Sequence, residues 1–145
     1  QEAHHSPPYL DDLIRQAQPQ LDIVGHLTVP GISNRTTAQD DALRALWTIF
    51  EALPVDGSAS CVGITKAILL LTDGRIGPAL DSRVRRNLRV PQLSTSDEWI
   101  RLLDEISEDV LSFEAIHRRL LRETIPEEFA QLEYGRLYDM ALGPR

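Results

Sequence analysis

Apolar residues in this chain recur every three or four positions, and Pro and Gly interrupt the pattern before any segment grows long. That period belongs to α-helices with one buried face, and the interruptions limit their length. The chain is thereby constrained to an all-α bundle of short helices. After Pro7-Pro8, the residues Leu10, Leu13, Ile14 and Ala17 share a face, and Pro19 is the expected stop. Residues 21–29 are too short to distinguish a strand from a helical turn, and Pro30-Gly31 with Ser33-Asn34 reads as a turn. Thr37 is the expected N-cap of a helix bearing Leu43, Leu46, Trp47, Phe50 and Leu53, which ends before Pro54. A turn-rich linker, 54–60, leads to a helix from about Val62 to Leu71 that is apolar nearly all round, the expected central helix of the bundle.

Further on, Leu80, Val84 and Leu88 predict a short basic helix over about 81–89. Thr95 and Glu98 have capping-box spacing ahead of Trp99, Leu102, Leu103 and Ile106. Ser112 is the expected cap of another helix carrying Ile116, Leu120 and Leu121. Thr124, Pro126 and Glu127 start a last one, bearing Phe129, Leu132, Leu137, Met140 and Ala141. The expectation is about seven short helices around one buried helix, a single domain over 1–145 with 1–8 as an N-terminal tail.

Composition narrows the function. With 42 % hydrophobic and 26 % charged residues in 145, the chain can bury one sizeable core, and disorder, collagen-like repeats and disulfide scaffolds are excluded. The longest apolar run, Ala67-Ile68-Leu69-Leu70-Leu71, is far below the roughly 20 residues of a membrane span. Residues 1–20 contain three Pro and no apolar stretch, so no secretory signal and no membrane partner are expected. The single cysteine makes no internal disulfide, which points to a reducing, cytoplasmic compartment. The net charge of −7 disfavours indiscriminate nucleic-acid binding by the chain as a whole.

Few residues carry chemistry. His4, His5, His26 and His117 have no spaced partner ligands, so neither a metal nor another cofactor is expected. Cys61 lies at a helix start but lacks a base in motif context, which favours a buried thiol. The string from Gly57 to Gly63 lacks the glycine spacing of a serine elbow. Two features stand out. Arg75, Arg83, Arg85, Arg86 and Arg89 fall within fifteen residues and form a local basic surface suited to phosphates. The basic residues are fourteen Arg and one Lys, and that Lys66 sits in the most apolar part of the chain, where desolvation would favour an amine nucleophile.

The stretch Gly63-Ile64-Thr65-Lys66-Ala67 through Asp81-Ser82-Arg83-Val84-Arg85-Arg86 resembles the core of the helix-hairpin-helix base-excision DNA glycosylases, and more closely a group of uncharacterised bacterial proteins related to them. The terminal Arg136-Leu137-Tyr138-Asp139-Met140-Ala141-Leu142 is similar to the closing helix of that group. The resemblance implies a helix-hairpin-helix glycosylase-like bundle that associates with DNA. It implies a glycosylase- or lyase-like hydrolase in which Lys66 attacks the sugar C1′ and Asp81 steadies the developing charge or positions a water. Trp47 and Tyr134 are the aromatic candidates for a wedge into the base stack. The chain departs from the family in having one glycine, Gly63, where the hairpin has two, and in lacking an iron–sulfur cysteine set. Val29-Pro30-Gly31-Ile32 followed by Thr37-Ala38 echoes the same hairpin elsewhere. The residues also fit a second reading: a non-catalytic module that binds a protein partner through its arginines and keeps Lys66 and Asp81 as a structural pair.

Overall fold

A computed structural model describes residues 10–53 and 60–117, and every regular element among them is helical. Helix α1 (Leu10–Val24) buries Leu13, Ala17 and Val24 on one face. It runs through Pro19, the expected stop. Proline removes one ladder hydrogen bond and crowds the carbonyl four residues earlier, but Pro19 is solvent-exposed and the residues beyond it still bring Val24 into the core. The stop is instead Gly25, whose φ of +58° is the left-handed geometry that ends helices. Residues 21–29 thus contain no strand: they are the end of α1, a turn, and the start of a 3-10 segment, Val29–Asn34.

Helix α2 (Thr37–Phe50) is capped by Thr36, one residue before the expected Thr37. Thr36 accepts from the Gln39 backbone N–H, and the Gln39 side chain accepts from the Thr36 N–H, a reciprocal capping box. Its buried face is Ala42, Leu43, Leu46, Trp47 and Phe50. Helix α3 (Cys61–Leu71) buries Cys61, Ile64, Thr65, Ile68 and Leu69. It is not enclosed on all sides, because Lys66 is exposed and Leu70 is 60 % exposed. Gly63 stands within its first turn, where a Cβ would meet nothing within 4 Å.

Helix α4 (Ser82–Leu88) follows a buried loop, and Arg89 ends it with φ +59°. Helix α5 (Ser96–His117) opens with the expected box: Glu98 N–H donates to Thr95 Oγ1, and Thr95 N–H donates to Glu98 Oε1, each at 3.2 Å. It continues unbroken past Ser112, the expected cap of a separate helix, since neither Pro nor Gly interrupts 96–117. The N-terminal tail, the linker residues 54–59 and the elements expected beyond residue 117 lie outside the described residues.

One core unites the elements. Trp47 of α2 and Trp99 of α5, both 2 % exposed, stack with ring centroids 5.6 Å apart. Ile64, Ile68, Ile76, Leu80 and Val84 bring α3, the following loop and α4 into the same cluster. No described helix is long and apolar enough to cross a membrane.

Candidate nucleic-acid interface

The helix α4 and the residue before it are held by a small set of buried bonds. Thr65 Oγ1 donates to Cys61 O at 2.6 Å, which commits its proton and leaves a lone pair for the Leu80 N–H, 2.8 Å away. The Leu80 carbonyl accepts from Arg85 Nε at 3.3 Å and from the Cys61 thiol at 3.7 Å. Asp81 is the N-cap of α4, its carboxylate accepting from the Val84 N–H at 2.8 Å. Val84 is the one buried side chain of this helix.

That arrangement divides the five arginines of the basic cluster. Arg83, Arg86 and Arg89 are exposed, and none forms an ion pair with the described residues. Arg85 is half-buried and braces Leu80. Arg75 is half-buried and donates to Gly25 O at 2.9 Å, tying the loop after α3 to the end of α1. Arg75 and Arg85 thus each tie part of the fold together, which leaves them fewer donors for the phosphates expected of them than the other three have. A guanidinium committed to a backbone carbonyl has fewer donors to offer a ligand.

Lys66 is exposed, so the apolar, desolvated setting expected for a nucleophilic amine is not what surrounds it. Its place on the helix explains this, because Ile64, Thr65, Ile68 and Leu69 face inward and Lys66 falls outside that arc. Among the described residues no ion pair joins Lys66 to Asp81, and Lys66 is not buried as the expected pair would require. The chain positions are nevertheless close, since Thr65 and Leu80, the residues before them, are hydrogen-bonded. Cys61 is buried, as its apolar-like reading requires. Trp47 is buried against Trp99 and cannot act as a wedge, while Tyr134 and the closing stretch lie outside the described residues. Among the described residues no group of three metal-ligating side chains comes together.

An arrangement that sequence reading missed lies elsewhere. An open groove of about 430 Å³ is lined by Ser33, Arg35, Thr36, Thr37, Asp40, Asp104 and Glu108. Its charges largely satisfy one another. Arg35 donates to Asp40 at 2.7 Å, to Asp104 at 2.5 Å and to Ile32 O at 2.9 Å, and Arg44 bonds both Asp40 and Asp97. Ser107 of α5 completes the clasp, accepting from Ser33 N and donating to Pro30 O. The Arg44 hydrogen bond holds the Asp40 carboxyl below its usual range against the opposing effect of burial, with Arg35 adding to the lowering. Burial pulls the Arg35 guanidinium down, and the bonds to Asp104 and Asp40 outweigh it. This groove is a fastening between the 3-10 turn, α2 and α5.

Removing Arg35 should therefore cost stability. An uncompensated pair costs roughly 3–5 kcal/mol when buried, and partial exposure here reduces the expectation for Arg35→Ala to about 2 kcal/mol at pH 7. The folded Asp40 carboxyl lies below its unfolded value of about 3.9, so its contribution is present above that pH and is lost as pH falls through the folded value. Urea melts at pH 7 and pH 3 should show the penalty shrinking at the lower pH; an equal penalty at both would contradict this assignment.

Comparison with known protein families, curated proteins and solved structures finds no match.

Proposed function

We propose that this chain binds the phosphate backbone of DNA through α4. The observation that supports the reading is the trio Arg83, Arg86 and Arg89, exposed on one short helix and its cap with no carboxylate partner among the described residues. Elsewhere Arg35 and Arg44 are locked in ion pairs, so the contrast lies within one protein. Arg83 and Arg86 are one helical turn apart, a spacing of about 5–6 Å between Cβ atoms. Each guanidinium offers a planar set of donors that matches phosphate oxygens. Contacts of this kind position a protein on a duplex without reading its bases. The test is a titration with duplex DNA in low salt. The expected result is binding that salt weakens steeply, and absence of binding in low salt overturns the reading.

A second reading, lyase chemistry at Lys66, is supported by the 2.8 Å Thr65–Leu80 bond, which joins the residues that precede Lys66 and Asp81. In this reading the Lys66 amine adds to the C1′ aldehyde of an abasic sugar and loses water, giving an imine. The water-exposed Lys66 is open to such a substrate. Borohydride should reduce that imine to a stable protein–DNA adduct, absent in Lys66→Gln. A native protein that yields no adduct while still binding DNA would refute the lyase step and leave the phosphate-binding reading in place.

A further inference from the structure

We propose that Thr65, which lies on α3 and touches no phosphate-binding side chain, is a positioning residue that aims the arginine face of α4; this rests on the phosphate-binding reading above. Helix α4 is short. Its seven residues bury one side chain, Val84, and a helix so short does not hold itself in water. Its direction is set by what fixes its entry point, the Leu80-Asp81 junction. Leu80 is 1 % exposed and its peptide is held at both ends: the N–H by Thr65 Oγ1, the carbonyl by Arg85 Nε and the Cys61 thiol. Asp81 then caps the helix from that anchored start, and the Arg85 N–H closes the first turn on Asp81 O at 3.0 Å.

The Thr65 hydroxyl is the only side-chain group of α3 that receives the Leu80 N–H, and its own proton is committed to Cys61 O. Deleting it leaves a buried N–H without a partner, and the junction must move to find one. Arg83, Arg86 and Arg89 would then be displaced together with α4 although none of them is altered. A DNA contact made by several guanidiniums at once depends on their placement.

The fold supplies a control of the same chemistry. Thr72 is buried, donates to Ile68 O at 2.8 Å and accepts from Ile76 N at 3.1 Å, but holds no part of α4. The experiment compares duplex DNA affinity in low salt for Thr65→Val, Thr65→Ser and Thr72→Val, at a temperature where circular dichroism shows each folded. Thr65→Val should bind roughly tenfold more weakly. Thr65→Ser, which keeps the hydroxyl, should restore binding, and Thr72→Val should bind as the unmodified protein does. Should the valine variant not fold, Thr65→Ala supplies the same comparison. Equal affinity for Thr65→Val and the unmodified protein overturns the positioning role alone, as does an equal loss in Thr72→Val. An unmodified protein that does not bind DNA overturns the phosphate-binding reading, and this proposal with it.

Discussion

Trp99→Ala should destabilise the protein by about 3–5 kcal/mol, the usual range for deleting a fully buried tryptophan. The side chain is 2 % exposed, its neighbours Ile100, Leu103 and Ile106 are buried with it, and its ring stacks on Trp47 at 5.6 Å. Deletion removes the transfer free energy of the indole, leaves a cavity between α2 and α5, and loses an aromatic pair worth about 0.5–1.5 kcal/mol. Against a total stability of about 5–15 kcal/mol, that is a large fraction. With a urea slope of about 2 kcal/mol per molar, the midpoint should fall by about 2 M. Trp47 remains as a fluorescent reporter, since the chain has two tryptophans. The exposed Leu70 is the contrast: Leu70→Ala should move the midpoint by less than about 0.3 M, the equivalent of about 0.5 kcal/mol. A Trp99→Ala midpoint within that same margin would contradict the core described here.

The second large effect concerns binding. Reversing Arg83 and Arg86 together, as Arg83→Glu with Arg86→Glu, would replace two of the proposed phosphate contacts with two repulsions. The expected loss is about a hundredfold or more in low salt, uniform across DNA sequences, because backbone contacts carry no base information. The fold should be unaffected, as both side chains are exposed and unpaired among the described residues. Arg75→Gln makes the opposite separation: it removes the 2.9 Å tie to Gly25 O, lowers stability, and leaves the DNA contact surface intact. Measuring both variants by titration and by urea melt distinguishes a binding arginine from a structural one. Loss of binding in Arg75→Gln with none in the double reversal would place the interface elsewhere.

Local signals were legible and long-range ones were not. The box of Thr95 and Glu98, the apolar face of α2 and the start of α4 near residue 81 are each defined by residues a few positions apart, so spacing alone encodes them. Pro19 misled because its cost is local while the gain that overrides it, burial of Val24, depends on packing. Arg35 is the clearest omission. Its partner Asp104 is 69 residues away, and in a chain with 22 acidic residues nothing in the sequence selects that one. Arg75, fifty residues from Gly25, is a similar case, and Arg85 bonds a carbonyl nearby in sequence whose position is set by folding. Their charge is visible in the sequence, but their commitment to backbone carbonyls arises only when Gly25 and Leu80 are brought beside them. Lys66 shows the converse. A helix rich in Leu and Ile reads as enclosed, yet one narrow arc of α3 reaches solvent and carries Lys66 and Leu70.

If Arg83, Arg86 and Arg89, on α4 and its cap, meet DNA phosphates, the salt dependence of affinity counts those contacts directly. Each phosphate contact on duplex DNA contributes about 0.9 to the slope of log affinity against log salt concentration, so three predict a slope of about −2.7. Between 50 and 200 mM salt that amounts to roughly a fortyfold loss of affinity. The double reversal at Arg83 and Arg86 should bring the slope to about −0.9 or abolish binding altogether. A slope near zero for the unmodified protein, or one unchanged by the double reversal, would contradict the claim.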